Sequence, residues 1–200
     1  ILIIPVKYIP FLYTSIFALI LIKVVPKAEI RRLFIYGLIF GGVFDILVVT
    51  IGNLIDEFGY IQYEEFGLMG IHFMAPISWT IFFMIYFYFL PHKKLYICLY
   101  TLMGIIYSVL FCQMVTKLGV LFLAHGLISS IIPFIIWFPI ATWGYLKLHN
   151  TVNQTAKLRL IIQLSGYQNN TTDHESVVLF NWFRKSSIFS LYVSPSGSDI

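Results

Sequence analysis

Three ionisable side chains, Asp45, His72 and His125, lie inside long apolar stretches of this 200-residue chain. Asp45 is near the centre of one stretch, and the two histidines are close to the beginnings of two others. A carboxyl and two imidazoles can relay protons, bind a cation or hold the polar end of a ligand. Because an ionisable group in mid-membrane costs a few kcal/mol, each is a candidate functional residue.

The composition indicates whether water or lipid surrounds these residues. Hydrophobic residues make up 59% of the chain and charged residues 11%, whereas soluble domains carry roughly 25% charged residues. The mean hydropathy is +0.86. The formal net charge of +4 lies at the ends of apolar runs rather than on a basic surface, which argues against nucleic-acid binding. The sequence therefore predicts an integral protein of a lipid bilayer.

Five apolar runs approach the roughly 20 residues that a membrane-spanning helix needs. They are Ile9–Val25, Leu33–Ile55, Leu68–Leu90, Leu95–Val115 and Val120–Thr142. We predict an all-α, polytopic transmembrane helical bundle with about five spans over residues 1–149. The polar composition of residues 150–200 predicts a poorly ordered cytoplasmic tail.

The distribution of basic residues predicts the orientation. Eleven of the 13 Lys and Arg residues lie at the ends of the first, third and fifth runs or in the segments that follow them, and only Lys7 and Lys117 lie on the opposite side. Cytoplasmic loops are enriched in Lys and Arg. We therefore expect the N-terminus outside and the C-terminus in the cytoplasm, in a multi-pass protein of the plasma membrane.

Two glycines share a helical stripe with the mid-membrane acid. Gly37, Gly41 and Asp45 are spaced four residues apart, which places them on one face of a helix. The glycine pair forms a GxxxG pattern, which allows close approach of a second helix. This stripe predicts helix packing at Gly37 and Gly41, with Asp45 inside the bundle.

Two interpretations of the cluster Asp45, His72 and His125 remain open. In the functional one, a polar pathway enters from the outer face, with the histidines at its mouth and Asp45 at its floor. In the structural one, the three side chains form hydrogen bonds that fix helix packing. A carboxyl buried without a partner would be uncharged, whereas a neighbouring histidine would favour its charged form. Side chains on separate helices do not by themselves predict the close geometry of a metal site, so we expect no metal and no cofactor.

The absence of several well-known motifs makes some classes of enzyme less suitable as a prediction. The sequence contains no nucleotide-binding P-loop and no HExxH or GxSxG motif. Cys98 and Cys112 are about 21 Å apart along one predicted helix, too far for a disulfide.

The leading hypothesis is a non-enzymatic membrane protein, either an accessory subunit or a small-solute carrier, with a membrane protein or a second copy as partner. The alternatives are an intramembrane enzyme acting on a lipid or isoprenoid, and a membrane sensor or assembly factor.

Short segments of the chain carry a family resemblance. They are Phe44-Asp45, Pro76-Ile77-Ser78-Trp79 and Phe89-Leu90-Pro91, within residues 33–146. This region resembles small, uncharacterised multi-spanning membrane proteins of spore-forming Gram-positive bacteria. The resemblance implies a transmembrane helical fold and no particular activity.

Overall fold

The computed structural model describes residues 5–61, 66–68 and 71–168, which are mainly helical. The helices are α1 (Ile9–Val24), α2 (Lys27–Gly37), α3 (Phe44–Leu54), α4 (Met74–Tyr88), α5 (Lys94–Lys117) and α6 (Leu127–Gln168). Four short strands are β1 (Phe58–Tyr60), β2 (Gly67–Leu68), β3 (Ile71–His72) and β4 (Leu121–Leu123). The chain divides into two compact units, Ile1–Leu146 and Lys147–Ile200. The predicted all-α class is confirmed, since the strands are confined to the connections.

Four helical segments in the described part of the chain are long and apolar enough to cross a membrane. They are Val6–Val24, Lys27–Leu54, Lys94–Lys117 and Leu127–Val152, and they correspond to four of the five predicted runs. The remaining run contains α4, whose 15 residues extend about 22 Å. This length is less than the roughly 30 Å of a hydrocarbon core.

Strands replace the expected helix at the start of two runs. Strands β2 and β3 pair as an antiparallel hairpin, so α4 begins at Met74 and not at the predicted Leu68. Strand β4 pairs with β1 before α6 begins at Leu127, seven residues after the predicted start. Apolar composition alone does not distinguish a short buried strand from a helix, which explains both differences. We call the end of the bundle that carries these four strands the loop end.

Helix α6 continues beyond the predicted boundary at residue 149 as far as Gln168. Over residues 150–168 the structure has a helix where the sequence predicted a poorly ordered tail. No glycine or proline interrupts residues 147–165, and the hydroxyl of Thr151 donates to the Lys147 carbonyl over 2.9 Å within the helix. The rest of the predicted tail, residues 169–200, lies outside the described residues.

The first unit has an apolar exterior, unlike a water-soluble protein. Large apolar side chains are exposed on the outer helix faces, as at Ile22, Leu95 and Ile128, which are 69%, 70% and 62% exposed. The interior is also mainly apolar, but it contains several polar side chains: Thr14, Asp45, His72, Ser78, Thr80, Thr101, Ser108, Ser129, Ser130 and Thr142. Exposed apolar surface on this scale is typical of contact with lipid.

Helix α4 lies at the centre of the helices, and aromatic rings join it to α6. Phe83 stacks on Trp137 with 5.4 Å between ring centroids, and Phe87 stacks on Tyr145 at 4.4 Å. Polar side chains add a second connection, because the hydroxyl of Tyr86 is 3.1 Å from that of Thr101 and 2.9 Å from that of Thr142. These contacts join α4, α5 and α6 in the interior of the bundle.

A π-helical turn, Leu38–Val43, joins α2 to α3 immediately before Asp45. In this turn the Phe44 N–H donates to the Ile39 carbonyl, five residues earlier, which frees the Phe40 carbonyl. The indole Nε1–H of Trp137 donates to that carbonyl over 2.5 Å. The bond satisfies a buried backbone group that lipid cannot satisfy.

The predicted glycine stripe lies against α4. A Cβ atom on Gly37 would come within 2.7 Å of the Thr80 carbonyl oxygen, and one on Gly41 would overlap the Trp79 carbonyl group. The backbones therefore approach more closely than any side chain would allow, as the GxxxG spacing suggests.

We expect Gly41→Ala to destabilise the fold by about 1–3 kcal/mol, because its methyl group would overlap main-chain atoms that cannot rotate away. The measurement is the thermal unfolding midpoint in detergent. Ile39→Ala is the control, because Ile39 is in the same π-helical turn but is 39% exposed. Equal midpoints for the two variants would contradict the close packing of this stripe.

We expect Trp137→Phe to cost about 1–3 kcal/mol of stability, because it removes the donor to the buried Phe40 carbonyl while keeping an aromatic ring. Amide hydrogen exchange around residues 38–44 should accelerate as the π-helical turn loses this support. Trp143→Phe is the control, because it removes an indole from the same helix at a position that is 64% exposed. It should leave the amide exchange around residues 38–44 unchanged.

Candidate functional site

Asp45 occupies the first turn of α3, directly after the π-helical turn, and is only 2% exposed. Its Oδ2 atom has no hydrogen-bond partner in the described structure. Buried polar atoms are nearly always hydrogen-bonded, so an unsatisfied carboxyl oxygen marks an unusual environment. The candidate site is therefore centred on Asp45.

A cavity of about 50 Å³ lies against Asp45. Its polar lining comes from Asp45, Tyr60, Cys112, Ser129 and Ser130, and aromatic rings form much of the remainder. A volume of about 10–15 Å³ is enough for one water molecule on this scale. The cavity thus has room for a few water molecules or a small ion, and not for a sugar or an amino acid.

A chain of hydrogen bonds links this cavity to the loop end. The hydroxyl of Ser129 donates to Glu57 Oε2 over 2.9 Å, and the same oxygen is 3.0 Å from Nδ1 of His125. The His125 backbone N–H donates to Ser129 Oγ over 3.0 Å. Since the side chain of His125 is 67% exposed, Ser129 stands between the exposed His125–Glu57 hydrogen bond and the cavity of Asp45.

Backbone pairing positions Glu57 opposite α6. Strands β1 and β4 pair antiparallel, and the Ala124 N–H donates to the Glu57 carbonyl at the end of that ladder over 2.8 Å. Gly119 and Gly126, on either side of β4, have φ values of 75° and 59°, a backbone region that favours glycine. These turns bring His125 next to the first turn of α6, where Ser129 is located.

A second cavity, of about 30 Å³, adjoins the first. The two share Tyr60, Trp79, Cys112 and Leu121 as lining residues. The polar groups of the second cavity include Tyr13, Ser78 and Ser108, and the Ser108 hydroxyl, which is 1% exposed, has no partner in the described structure. Each cavity therefore contains one buried polar atom whose hydrogen-bonding capacity is unused.

His72 has a different environment from the other two candidates. Its ring is 1% exposed and lies 5.8 Å from the ring of Phe11, 6.2 Å from that of Tyr60 and 6.2 Å from that of Phe66. Its Nδ1 accepts the Met74 backbone N–H over 3.2 Å, which satisfies one of the free donors at the start of α4. Burial lowers the pKa of the His72 imidazole, and the nearby Lys7 backbone offsets only part of this decrease. A neutral ring that supports a helix start fits these contacts.

Tyr60 connects His72 to the Asp45 cavity. Its ring contacts His72 on one side, and it lines both cavities on the other. Burial raises the pKa of Tyr60 well above its usual value, and the Asp45 carboxyl raises it further. Tyr60 is therefore a neutral hydroxyl group that faces the same space as Asp45.

The structure brings the three predicted residues together only indirectly. His125 reaches the cavity of Asp45 through Glu57 and Ser129, and His72 reaches it through Tyr60. Neither histidine is hydrogen-bonded to Asp45 in the described part of the chain. Within those same residues, no three His, Cys, Asp or Glu side chains are placed to hold a metal ion.

Sequence reasoning did not identify Glu57, Tyr60 or Cys112 as site residues. Glu57 and Tyr60 belong to a connection whose position depends on strand pairing with residues more than sixty positions away. In the sequence, Cys112 is considered only as a disulfide partner of Cys98. The only available signal was the acidic character of the loop that contains Glu57.

Comparison with protein-family models, with curated proteins and with solved structures finds no match for this chain. The function therefore has to be argued from the chemistry of the site.

We expect Glu57 to make the loop end sensitive to acid. Its hydrogen bonds from His125, first, and from Ser129 lower the pKa of the Glu57 carboxyl below its usual value near 4.5. A lowered pKa means that the stabilisation is present above the usual value and is lost as the pH falls through the folded-state value.

The test compares unfolding midpoints of the parent chain and Glu57→Gln over a pH series, followed by tryptophan fluorescence. The advantage of the parent chain should be constant near neutral pH and should shrink below about pH 4. A difference that stays constant into strong acid would show that the charge on Glu57 does not stabilise the loop end.

Proposed function

We propose that this chain is a plasma-membrane protein that carries a small cation through the cavity at Asp45. The membrane assignment is supported by four apolar helices of sufficient length and by the apolar outer faces of the bundle. In the proposed topology α4 is the third of five crossings, with the N-terminus outside and the C-terminus in the cytoplasm. A helix shorter than the hydrocarbon core is acceptable at that position because protein surrounds it.

The observation that carries the proposal is the unpaired Oδ2 atom of Asp45 beside a cavity. An isolated carboxylate buried away from water is strongly unfavourable, so it needs a proton or a cation as partner. The other polar groups in the cavity wall include the hydroxyls of Tyr60, Ser129 and Ser130. Oxygen ligands of this kind suit a proton carried with water or a small hard cation such as Na⁺.

The route to this cavity is proposed to begin at His125. From there the polar groups Glu57 and Ser129 lead inward, and each is within hydrogen-bond distance of the next. The size of the cavity favours an ion over a larger solute. The small volume beside the Asp45 carboxyl supports carriage of an ion better than catalysis on a lipid or isoprenoid.

The test uses protein reconstituted in sealed lipid vesicles that contain a pH-sensitive dye or a Na⁺-sensitive dye. A pH gradient is imposed in one arm and a Na⁺ gradient in the other, which separates the two cations. We expect one gradient to dissipate at least tenfold more slowly with Asp45→Asn than with the parent chain.

Asp56→Asn is the matched control, because it makes the same acid-to-amide change at the exposed end of α3. It should retain the rate of the parent chain. If the parent chain dissipated neither gradient, or if both variants behaved alike, the carrier proposal would be rejected.

A further inference from the structure

The link between the loop end and the Asp45 cavity consists of closed hydrogen bonds. Nδ1 of His125 is 3.0 Å from Glu57 Oε2, and the Ser129 hydroxyl donates to the same oxygen over 2.9 Å. Atoms at these distances are in direct contact, so a metal ion that followed this link would have to separate them. A proton can move along such bonds, because each step only exchanges a covalent O–H or N–H bond for a hydrogen bond. The link therefore suits a proton better than Na⁺.

The serine hydroxyls in the Asp45 cavity already donate to other groups. Ser129 donates to Glu57, and Ser130 donates to the Leu127 carbonyl over 2.8 Å. Neither hydroxyl can also donate to the unpaired Oδ2 atom of Asp45, since a hydroxyl carries one hydrogen. Each oxygen has two lone pairs and can still accept a hydrogen bond. This lining matches a carboxyl group that carries the proton itself and donates it to a neighbouring oxygen.

The second cavity extends the polar space beyond Asp45. Its volume of about 30 Å³ corresponds to about two water molecules at roughly 10–15 Å³ each. The buried Ser108 hydroxyl lies on its wall and has no partner among the described residues, while Tyr13 and Ser78 supply further polar groups. An unpaired buried hydroxyl is unfavourable, so water is the partner that this space can supply. Tyr60 lines both cavities and connects this water to the Asp45 cavity.

We propose that the cation carried by this chain is the proton, and that water held by Ser108 in the second cavity extends its path beyond Asp45. The Asp45 carboxyl group gives its proton to an adjacent water molecule, and that molecule passes one of its own protons to the next. Each transfer breaks one O–H bond and forms another, and the carboxylate left on Asp45 accepts the next proton that arrives. The inference rests on the proposed carrier function and identifies its substrate.

The test uses sealed lipid vesicles with a pH gradient in one arm and a Na⁺ gradient in the other. K⁺ and valinomycin are present in both arms, so that no membrane potential develops. We expect the parent chain to dissipate the pH gradient and to retain the Na⁺ gradient. Ser108→Ala should slow dissipation of the pH gradient roughly fivefold, the factor expected from the loss of one ordinary hydrogen bond.

Two further variants show whether the hydroxyl group itself is responsible. Ser108→Thr keeps a hydroxyl at the same position and should retain most of the rate of the parent chain. Ser15→Ala is the matched control, because it makes the same change on α1, where Ser15 is exposed and lines neither cavity. Its rate should equal that of the parent chain.

The outcomes distinguish this inference from the carrier proposal. Dissipation of the Na⁺ gradient by the parent chain would overturn the assignment of the proton and leave the carrier proposal standing. Dissipation of neither gradient would overturn both. Equal rates for Ser108→Ala and Ser15→Ala would overturn the path through the second cavity, and so would a rate for Ser108→Thr as low as that for Ser108→Ala.

Discussion

The apolar outer faces of the helices offer no hydrogen bonds, so the polar groups among the helices have to be satisfied within the protein. The Phe40 carbonyl, released by the π-helical turn, is satisfied by Trp137. Tyr86, Thr101 and Thr142 satisfy one another between three helices. Against this background, the unsatisfied oxygens of Asp45 and Ser108 identify the two cavities as the place where the protein has room for another polar species.

The same constraint explains how the loop end completes the site. Backbone groups outside the helices are satisfied by pairing β1 with β4, which joins two connections that are far apart in sequence. This pairing positions Tyr60 over the cavities and brings Glu57 to Ser129 on α6. Helix α3 supplies the acid, while the strands supply much of the polar surrounding. The site thus depends on the packing of helices and on the small sheet together.

Local patterns in the sequence were sufficient for part of this arrangement. The long apolar runs predicted the helical class, and the spacing of Gly37, Gly41 and Asp45 predicted a stripe that the structure places against α4 and the cavity. Each of these signals lies within a single helix. The third and fifth runs were less well predicted, because an apolar strand and an apolar helix have similar compositions.

The remaining features depend on contacts between distant residues. The π-helical turn has no sequence signature, and its role emerges only when Trp137 is seen to reach the Phe40 carbonyl, 97 residues away. Likewise, the link from His125 to the cavity requires Glu57, 68 residues earlier in the chain. Spacing along one helix cannot report such pairs. This is why Asp45 was identified from the sequence while Glu57 and Tyr60 were not.

Access of water to Cys112 tests the central claim that an aqueous, polar space lies beside Asp45, because this cysteine lines both cavities. The experiment removes the other cysteine with Cys98→Ser and adds Ag⁺, a thiol-binding cation small enough for the cavity, to the loop end of the protein in sealed vesicles. Reaction is detected as a loss of Cys112 alkylation after excess Ag⁺ is removed and the protein is unfolded. We predict modification of Cys112 from that side without any denaturant. Protection of Cys112 until the protein is unfolded would contradict the account.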